Sequence, residues 1–323
     1  MPIAVLTCSS CVTNLIVRDF SRLLKMTQKG EILLNNTFGD YETSATVEIG
    51  DFSWIASDAY SGRATISCSP KNNSQTVLWT CLATGTFACG DAEKGSECAF
   101  HFWNITFDSA HPKHREESDY STYEKAKYSS HPYNGKVRVE IVKSFCADLS
   151  EPDNQLIEDP SDAVKILIED QGLWLSKKKL EAYSPYFVNL INGDYKERAE
   201  GRYEVPDVKL EEFLHFVGIL HCLYMLVDKN SVRYLLKLAD MFSCDMVLKA
   251  CEQFLFNASE KEVTIKEKLI LADRFGLQNV LLDTVGKMKP NEAKMMYQNP
   301  SNSLLLQGLL ARKMSVVDLA PEK

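Results

Sequence analysis

Hydrophobic and polar residues follow different periods in the two halves of the chain. Between residues 30 and 145, short runs alternate apolar and polar positions, as at Val137, Val139 and Ile141 with charged residues between them. Turn-forming residues such as Pro70 and Gly85 separate the runs. This pattern predicts an antiparallel β-sandwich. Within it, residues 108–134 are polar and charged, and we expect a long exposed loop there.

The second half mixes short strands with helices. The pattern predicts strands at residues 163–169, 172–175 and 202–205, and a broken pair of short helices at residues 178–191. Residues 208–222 then carry apolar side chains at spacings of three, four and seven, which is typical of an amphipathic helix. Further helices of the same kind are expected to follow.

One pentad, Leu-Ala-Asp-x-Phe, occurs at residues 238–242 and again, 33 residues later, at residues 271–275. That period is the size of a helical hairpin. A solenoid generally needs about three or more copies, so two copies favour two successive hairpins over a solenoid. Gly276 is suited to end the first helix of the second hairpin in a left-handed conformation, and Pro290 is expected to close that hairpin.

The boundary between the halves is an acidic stretch with two prolines, which we interpret as a linker. The predicted organisation is an N-terminal segment (1–29), the sandwich (30–145), the linker (146–158), an α/β domain (159–256) and a helical extension (257–323). The fold class is therefore α+β.

Composition narrows the functional classes. The formal net charge is -8 and no long basic run occurs, which argues against duplex nucleic acid as the main partner. No apolar window is long enough for a membrane span, and the N-terminus lacks the basic start of a signal peptide. The ten cysteines are then expected to be buried thiols and not disulfides, and the chain to be cytoplasmic or nuclear.

Candidate chemistry is sparse. Cys8 and Cys11 form a C-x-x-C pair, but no second pair with zinc-site spacing follows. Cys98, His101, His111 and His114 are the one His/Cys-rich stretch, and part of it falls in the predicted polar loop. No glycine-rich phosphate loop and no nucleophile turn is present. We expect neither an enzyme nor a bound metal or cofactor.

Residues 159–256 resemble a BTB/POZ domain. Asp162 opens the first strand, and Leu180 with Ser184, Pro185, Tyr186 and Phe187 is similar to the family's L-x-x-x-S-x-x-F helix. Glu204 to Val208 matches its E-[IV]-x-[ND]-V turn, and the first pentad lies in its last hairpin. The second pentad resembles the three-box or BACK-type extension. The whole layout resembles MATH–BTB proteins, including the nematode class, although the MATH likeness rests on strand spacing and Trp-bearing strands alone.

This resemblance implies an adaptor for a cullin–RING ubiquitin ligase. The BTB domain would bind a cullin of the third class, the extension would enlarge that interface, and the sandwich would hold a protein client. Tyr195 and Glu197 stand where the family carries its hydrophobic-x-Glu cullin contact, and Asp207 lies beside that loop. The alternative interpretation is that Tyr195 and Glu197 are an ordinary loop aromatic and a solvated charge.

Three departures from the family leave a rival hypothesis open. Ser176 stands where a His is usual, and residues 221–224 replace the usual Tyr-x-Gly after the long helix. The helix that normally precedes the first strand and builds the homodimer is missing from the pattern. The rival is a self-associating BTB scaffold or transcriptional cofactor, in which Asp162 and Lys177 would form a charged pocket for a corepressor.

Overall fold

The computed structural model describes residues 28–34, 42–59, 63–91, 96–117, 133–193 and 203–315. These residues fall into two compact units. One contains the described residues up to 73 together with 77–147, and the other contains 74–76 and the residues from 148 onward. Both units match the predicted fold class, a β-rich N-terminal part followed by an α/β domain and further helices.

The first unit is built from two sheets. One has the strand order β1-β9-β6-β7, and the other has the order β2-β4-β5-β8 with β3 also paired to β4. Neighbouring strands with a defined register are antiparallel. The strands are β1 (Gln28–Leu34), β2 (Glu42–Thr43), β3 (Val47–Ile49), β4 (Phe52–Ala59), β5 (Arg63–Pro70), β6 (Val77–Asp91), β7 (Ser96–Asp108), β8 (Lys113–Glu117) and β9 (Tyr133–Asp148).

The inner faces of the two sheets share one hydrophobic core. Phe52 and Trp54 alternate with half-exposed residues on β4, as the period-two pattern predicts. Trp54 meets Phe107 of the facing sheet edge-on, with ring centroids 5.3 Å apart. Because the edge of one ring is attracted to the face of the other, this contact favours one relative orientation of the two buried rings. The antiparallel sandwich is therefore confirmed.

Residues 108–134 do not form one long loop. Buried Asp108 accepts hydrogen bonds from the backbone N–H groups of Ala110 and His111, at 2.9 and 2.8 Å, and this closes a tight turn. The chain then forms β8, which pairs with β5. Sequence reasoning missed β8 because its residues, KHREE, are all polar, so alternation gives no signal. Residues 118–132 lie outside the described part of the chain.

The second unit begins with a three-stranded sheet of order β11-β10-β12, made of β10 (Ala163–Ile168), β11 (Gln171–Ser176) and β12 (Tyr203–Glu204). The predicted linker is not a free connector. Strand β9 extends to Asp148, and the carbonyl of Leu149 then accepts the N–H of Trp174 on β11 at 2.7 Å. Asn154 donates to the carbonyl of the same Trp174 at 3.1 Å. The segment thus covers the edge of β11, which would otherwise leave backbone groups unpaired.

The helices follow the predicted positions closely up to residue 288 and then exceed them. A third hairpin, residues 290–315, follows the two hairpins that carry the pentad. Pro290, expected to close the second hairpin, also begins the third, because it is the first residue of the next helix. The helices are α1 (Lys177–Tyr183), α2 (Pro185–Asn192), α3 (Leu210–Leu220), α4 (Val232–Met241), α5 (Asp245–Asn257), α6 (Ile265–Arg274), α7 (Gln278–Lys287), α8 (Pro290–Tyr297) and α9 (Leu304–Ser315).

The last residue of the first pentad, Phe242, is the centre of the second unit's core. Its ring lies 5.0 Å from the ring of Phe187 on α2 and 5.0 Å from that of Phe216 on α3. The hydroxyl of Ser184 donates to the Phe242 carbonyl at 2.5 Å while accepting the N–H of Phe187. In the second pentad, Phe275 is only half-buried and lies against the Arg274 guanidinium.

Replacing the two equivalent pentad phenylalanines tests this difference. Phe242→Ala is expected to lower the free energy of unfolding of the second unit by about 3–5 kcal/mol, since it empties a fully buried site. Phe275→Ala serves as the matched control and should cost about 1 kcal/mol or less. Urea denaturation followed by the helical circular-dichroism signal measures both. Equal losses would show that the two positions are equally buried in solution.

Candidate protein-interaction site

The turn before α3 and the β10–β11 hairpin lie side by side at one edge of the second unit. Glu169 and Asp170 both have positive φ, +47° and +66°, as a two-residue type I′ hairpin turn requires. The Glu169 carboxylate accepts the N–H of Leu210 at 2.7 Å. A negative charge at a helix N-terminus is stabilising, so Glu169 fixes both the hairpin and the start of α3.

Asp207, one of the predicted contact residues, is exposed in the turn between β12 and α3. Its φ of +60° is a left-handed conformation, which Asp tolerates better than most residues. It borders an open cavity of about 420 Å³ that Glu169, Asp170 and Glu204 also line. Four carboxylates therefore face this edge with Lys209, and the surface is suited to a partner with positive charge.

The other two predicted contact residues, Tyr195 and Glu197, lie outside the described residues. The structure does describe the two ends of their segment, Gly193 after α2 and Tyr203 on β12. The hydroxyl of Tyr203 donates to the carbonyl of Ile191 at 3.3 Å and holds these two ends close together. The assignment of Tyr195 and Glu197 to a cullin contact stays a prediction.

Asp162 and Lys177, the predicted charged pocket, make separate contacts. Buried Asp162 accepts the Ser176 hydroxyl at 2.5 Å and the N–H of Lys178 at 2.8 Å, so it caps the start of α1. This pair holds the strand-to-helix turn in which the family usually has a His. Lys177 donates to the amide oxygen of Asn192 at 3.0 Å and lies 3.5 Å from the Glu181 carboxylate.

The segment that replaces the family's Tyr-x-Gly is strained and buries a histidine. Cys222 and Tyr224 have positive φ, +54° and +62°. Within the described part of the chain, Nε2 of buried His221 has no hydrogen-bond partner. Burial lowers the pKa of His221 to about 3, and the positive charge of Lys179 acts in the same direction. The imidazole is therefore neutral in the folded protein at physiological pH.

Polar contacts tie each helical hairpin to the one before it. Arg233 of α4 pairs with Glu267 of α6, and buried Lys268 donates to the Ala258 carbonyl at the end of α5. Asp273, the aspartate of the second pentad, accepts the hydroxyl and the N–H of Ser303 at the start of α9. The three hairpins thus form one continuous helical wall, which we call the stack.

Among the His/Cys candidates, His111 is the one whose side chain the structure describes. Cys8 and Cys11 lie outside the described residues. His111 lies on the turn held by Asp108, with its Nδ1 3.0 Å from that carboxylate. Across the residues that the structure describes, no three His, Cys, Asp or Glu side chains are arranged to hold a metal ion. None of the helices described is both long enough and apolar enough to cross a membrane.

Comparisons with known proteins identify the second unit. Residues 155–259 match the model of the BTB/POZ domain. Three similar Caenorhabditis elegans proteins carry both domain names. BTB and MATH domain-containing protein 38 is 30% identical over 110 residues, which are 34% of this chain and 28% of that protein. BTB and MATH domain-containing protein 45 is 28% identical over 38% of this chain and 26% of its own length.

The third relative is more divergent. BTB and MATH domain-containing protein 15 is 22% identical over 152 residues, which are 47% of this chain and 54% of that protein. This chain therefore spans between about a quarter and a half of the length of these relatives.

The family match gives the class of the second unit, a domain similar to protein-interaction modules of the BTB/POZ type. Residues 155–259 match the BTB/POZ domain, and the chain is similar to MATH–BTB proteins. An antiparallel sandwich comes before these residues, and the second and third hairpins of the stack come after them.

The separate contacts of Asp162 and Lys177 predict different effects on stability. Asp162→Ala should lower the free energy of unfolding of the second unit by about 1–3 kcal/mol, since it leaves a buried hydroxyl and a helix N–H without their acceptor. Lys177→Ala should change it by less than about 1 kcal/mol, because its ion pair is partly exposed to solvent. Urea denaturation of both variants measures this. Similar losses would contradict the capping role.

The low pKa of buried His221 predicts that the free energy of unfolding falls as the pH falls. Its pKa is about 3 when folded and about 6.5 when unfolded. Below pH 6.5 the unfolded chain therefore binds a proton that the folded chain does not, and stability falls by about 1.4 kcal/mol per pH unit. Between pH 7 and 5, wild type should lose about 2 kcal/mol more than His221→Gln. Equal losses would mean that His221 becomes protonated without unfolding.

Proposed function

We propose that this protein is a non-enzymatic substrate adaptor of a cullin–RING ubiquitin ligase, acting in the cytoplasm or nucleus. Its BTB domain binds a cullin of the third class and its sandwich binds a protein client. The observation that carries the proposal is the BTB/POZ match at residues 155–259, which includes the first hairpin of the stack and is followed directly by the other two. A BTB domain with a helical extension presents a longer surface to a partner than the domain alone.

The proposed cullin contact is formed by residues 194–202 together with the acidic edge of Glu169, Asp170, Glu204 and Asp207. Tyr195 would enter an apolar pocket of the cullin, and Glu197 would fix the loop through a cap or an ion pair. Asp207 lies exposed at the neighbouring turn, which is anchored by the Glu169 contact to Leu210. Burial of an aromatic anchor surrounded by polar contacts is typical of an interaction hot spot.

The full-length protein mixed with the N-terminal domain of a third-class cullin tests this role. Wild type is expected to bind at micromolar or better affinity, measured by isothermal titration calorimetry. The Tyr195→Ala, Glu197→Ala double variant should bind at least about tenfold more weakly, because it loses a hot-spot aromatic and a charged contact. Asp207→Ala should weaken binding less, since a charge at an interface rim contributes little affinity.

A matched control removes one aromatic and one glutamate from the sandwich. Phe102 is 64% exposed and Glu140 forms a surface ion pair with Lys29, so Phe102→Ala, Glu140→Ala should leave cullin affinity unchanged. Failure of wild type to bind, or equal binding by the Tyr195, Glu197 variant, would overturn the mechanism. Self-association without cullin binding, measured by sedimentation, would favour the scaffold or cofactor alternative.

A further inference from the structure

An ion pair on α1 holds the side chain of the last residue of α2. Asn192 ends α2 with its side chain exposed. Its amide oxygen accepts a hydrogen bond from Nζ of Lys177 at 3.0 Å, and its amide nitrogen donates to Oε1 of Glu181 at 2.6 Å. Lys177 and Glu181 also pair with each other at 3.5 Å across one turn of α1. We call these three side chains the amide clamp.

The residue that follows Asn192 is a glycine, which makes the held amide chemically unstable. In an Asn-Gly step no side chain shields the glycine nitrogen, so this nitrogen can reach the carbonyl carbon of the asparagine side chain. The chain contains two such steps, Asn134–Gly135 in β9 and Asn192–Gly193 after α2. The structure describes the asparagine side chain of the second step, and that side chain is open to water.

We propose that Asn192 is a site of spontaneous deamidation and that the amide clamp slows this reaction in the folded protein. The modification needs water and no enzyme. It is independent of whether the BTB domain binds a cullin.

The chemistry balances in two steps. The backbone nitrogen of Gly193 attacks Cγ of Asn192, a C–N bond closes a five-membered succinimide, and Nδ2 leaves as ammonia with the proton of the Gly193 nitrogen. Water then opens the ring at either carbonyl and gives aspartate or isoaspartate at position 192. The net change replaces the side-chain NH2 group by OH, with one water consumed and one ammonia released.

Two features of the fold oppose the first step. The N–H of Gly193 donates to the Asn189 carbonyl at 2.9 Å, so the attacking nitrogen is engaged in the last turn of α2. The clamp fixes the amide, whose carbon can turn towards Gly193 only when its hydrogen bonds open. Lys177 also draws charge from the amide oxygen, which favours attack, but water supplies a similar donor in its absence. We therefore expect a reaction about tenfold slower than in the unfolded chain, since net hydrogen bonds are weak.

The product cannot rebuild the clamp. Glu181 accepts a hydrogen bond from the amide of Asn192, whereas a carboxylate at that position has no hydrogen to donate and repels Glu181. A negative charge in the last turn of a helix is also unfavourable. Deamidation therefore releases the end of α2 irreversibly, and residues 194–202 follow directly in the chain.

Peptide mapping of the full-length protein measures the reaction. The protein is incubated at mildly alkaline pH, in native buffer and in concentrated urea, and samples are digested with trypsin. Residues 180–196 form one peptide, in which fragmentation distinguishes Asn192 from Asn189. We expect the NH2-to-OH mass change at Asn192 under both conditions, about tenfold more slowly in native buffer. Equal rates in the two solvents, or no reaction at Asn192 in urea, would overturn the proposal.

Variants of the clamp test its role. Lys177→Ala with Glu181→Ala should raise the native rate at Asn192 about threefold, because both hydrogen bonds to the amide are lost. The rate in urea and the native rate at Asn134 should stay unchanged. Glu181→Gln keeps an acceptor for the amide N–H and should keep most of the protection. An unchanged native rate in the double variant would contradict the role of the clamp, and so would an equal rise at Asn134, which would indicate general unfolding.

A second ion pair of the same spacing serves as the matched control. Lys287 and Asp283 pair at 2.7 Å across one turn of α7. Lys287→Ala with Asp283→Ala should leave the rate at Asn192 unchanged. A rise equal to that of the clamp variant would show that loss of any surface ion pair has this effect, and the clamp would then have no special role.

Discussion

The core of the second unit depends on the packing of the Phe242 ring and on the hydrogen bond that its carbonyl accepts. Its ring fills the space between α2 and α3, and its backbone carbonyl, at the end of α4, accepts the Ser184 hydroxyl. A carbonyl at a helix end has no partner within the helix, so burying it requires one from elsewhere. Ser184 supplies that partner and at the same time caps α2. One residue position thus joins three helices through both its side chain and its backbone.

The stack extends this core by a different kind of contact. Each added hairpin buries an apolar face, but ion pairs and hydrogen bonds set its position along the wall. The contacts of Lys268 with Ala258 and of Asp273 with Ser303 are examples, and each satisfies backbone or side-chain groups at a helix end. The last hairpin leaves two large apolar side chains in solvent, since Leu304 is 87% and Met295 77% exposed.

Most of the architecture could be predicted where burial follows a simple period. The sandwich core and the helices up to residue 288 obey periods of two and about 3.6, so single residues such as Trp54 indicate their own face. The pattern failed where polar backbone contacts decide the structure. Strand β8 is polar throughout, and the segment after Asp148 docks through the Leu149 carbonyl and Asn154. These contacts carry no hydrophobic signature in the sequence.

The sequence by itself determined the α+β class, the BTB likeness and the existence of two related hairpins, because each depends on local spacing. The tertiary structure alone decided what the repeated pentad does. Phe242 is buried among four aromatic rings and Phe275 lies half-exposed against Arg274, although their local sequences match. Likewise, only the fold shows that Asp162 caps a helix. These roles depend on neighbours that are distant in sequence, and no local pattern specifies them.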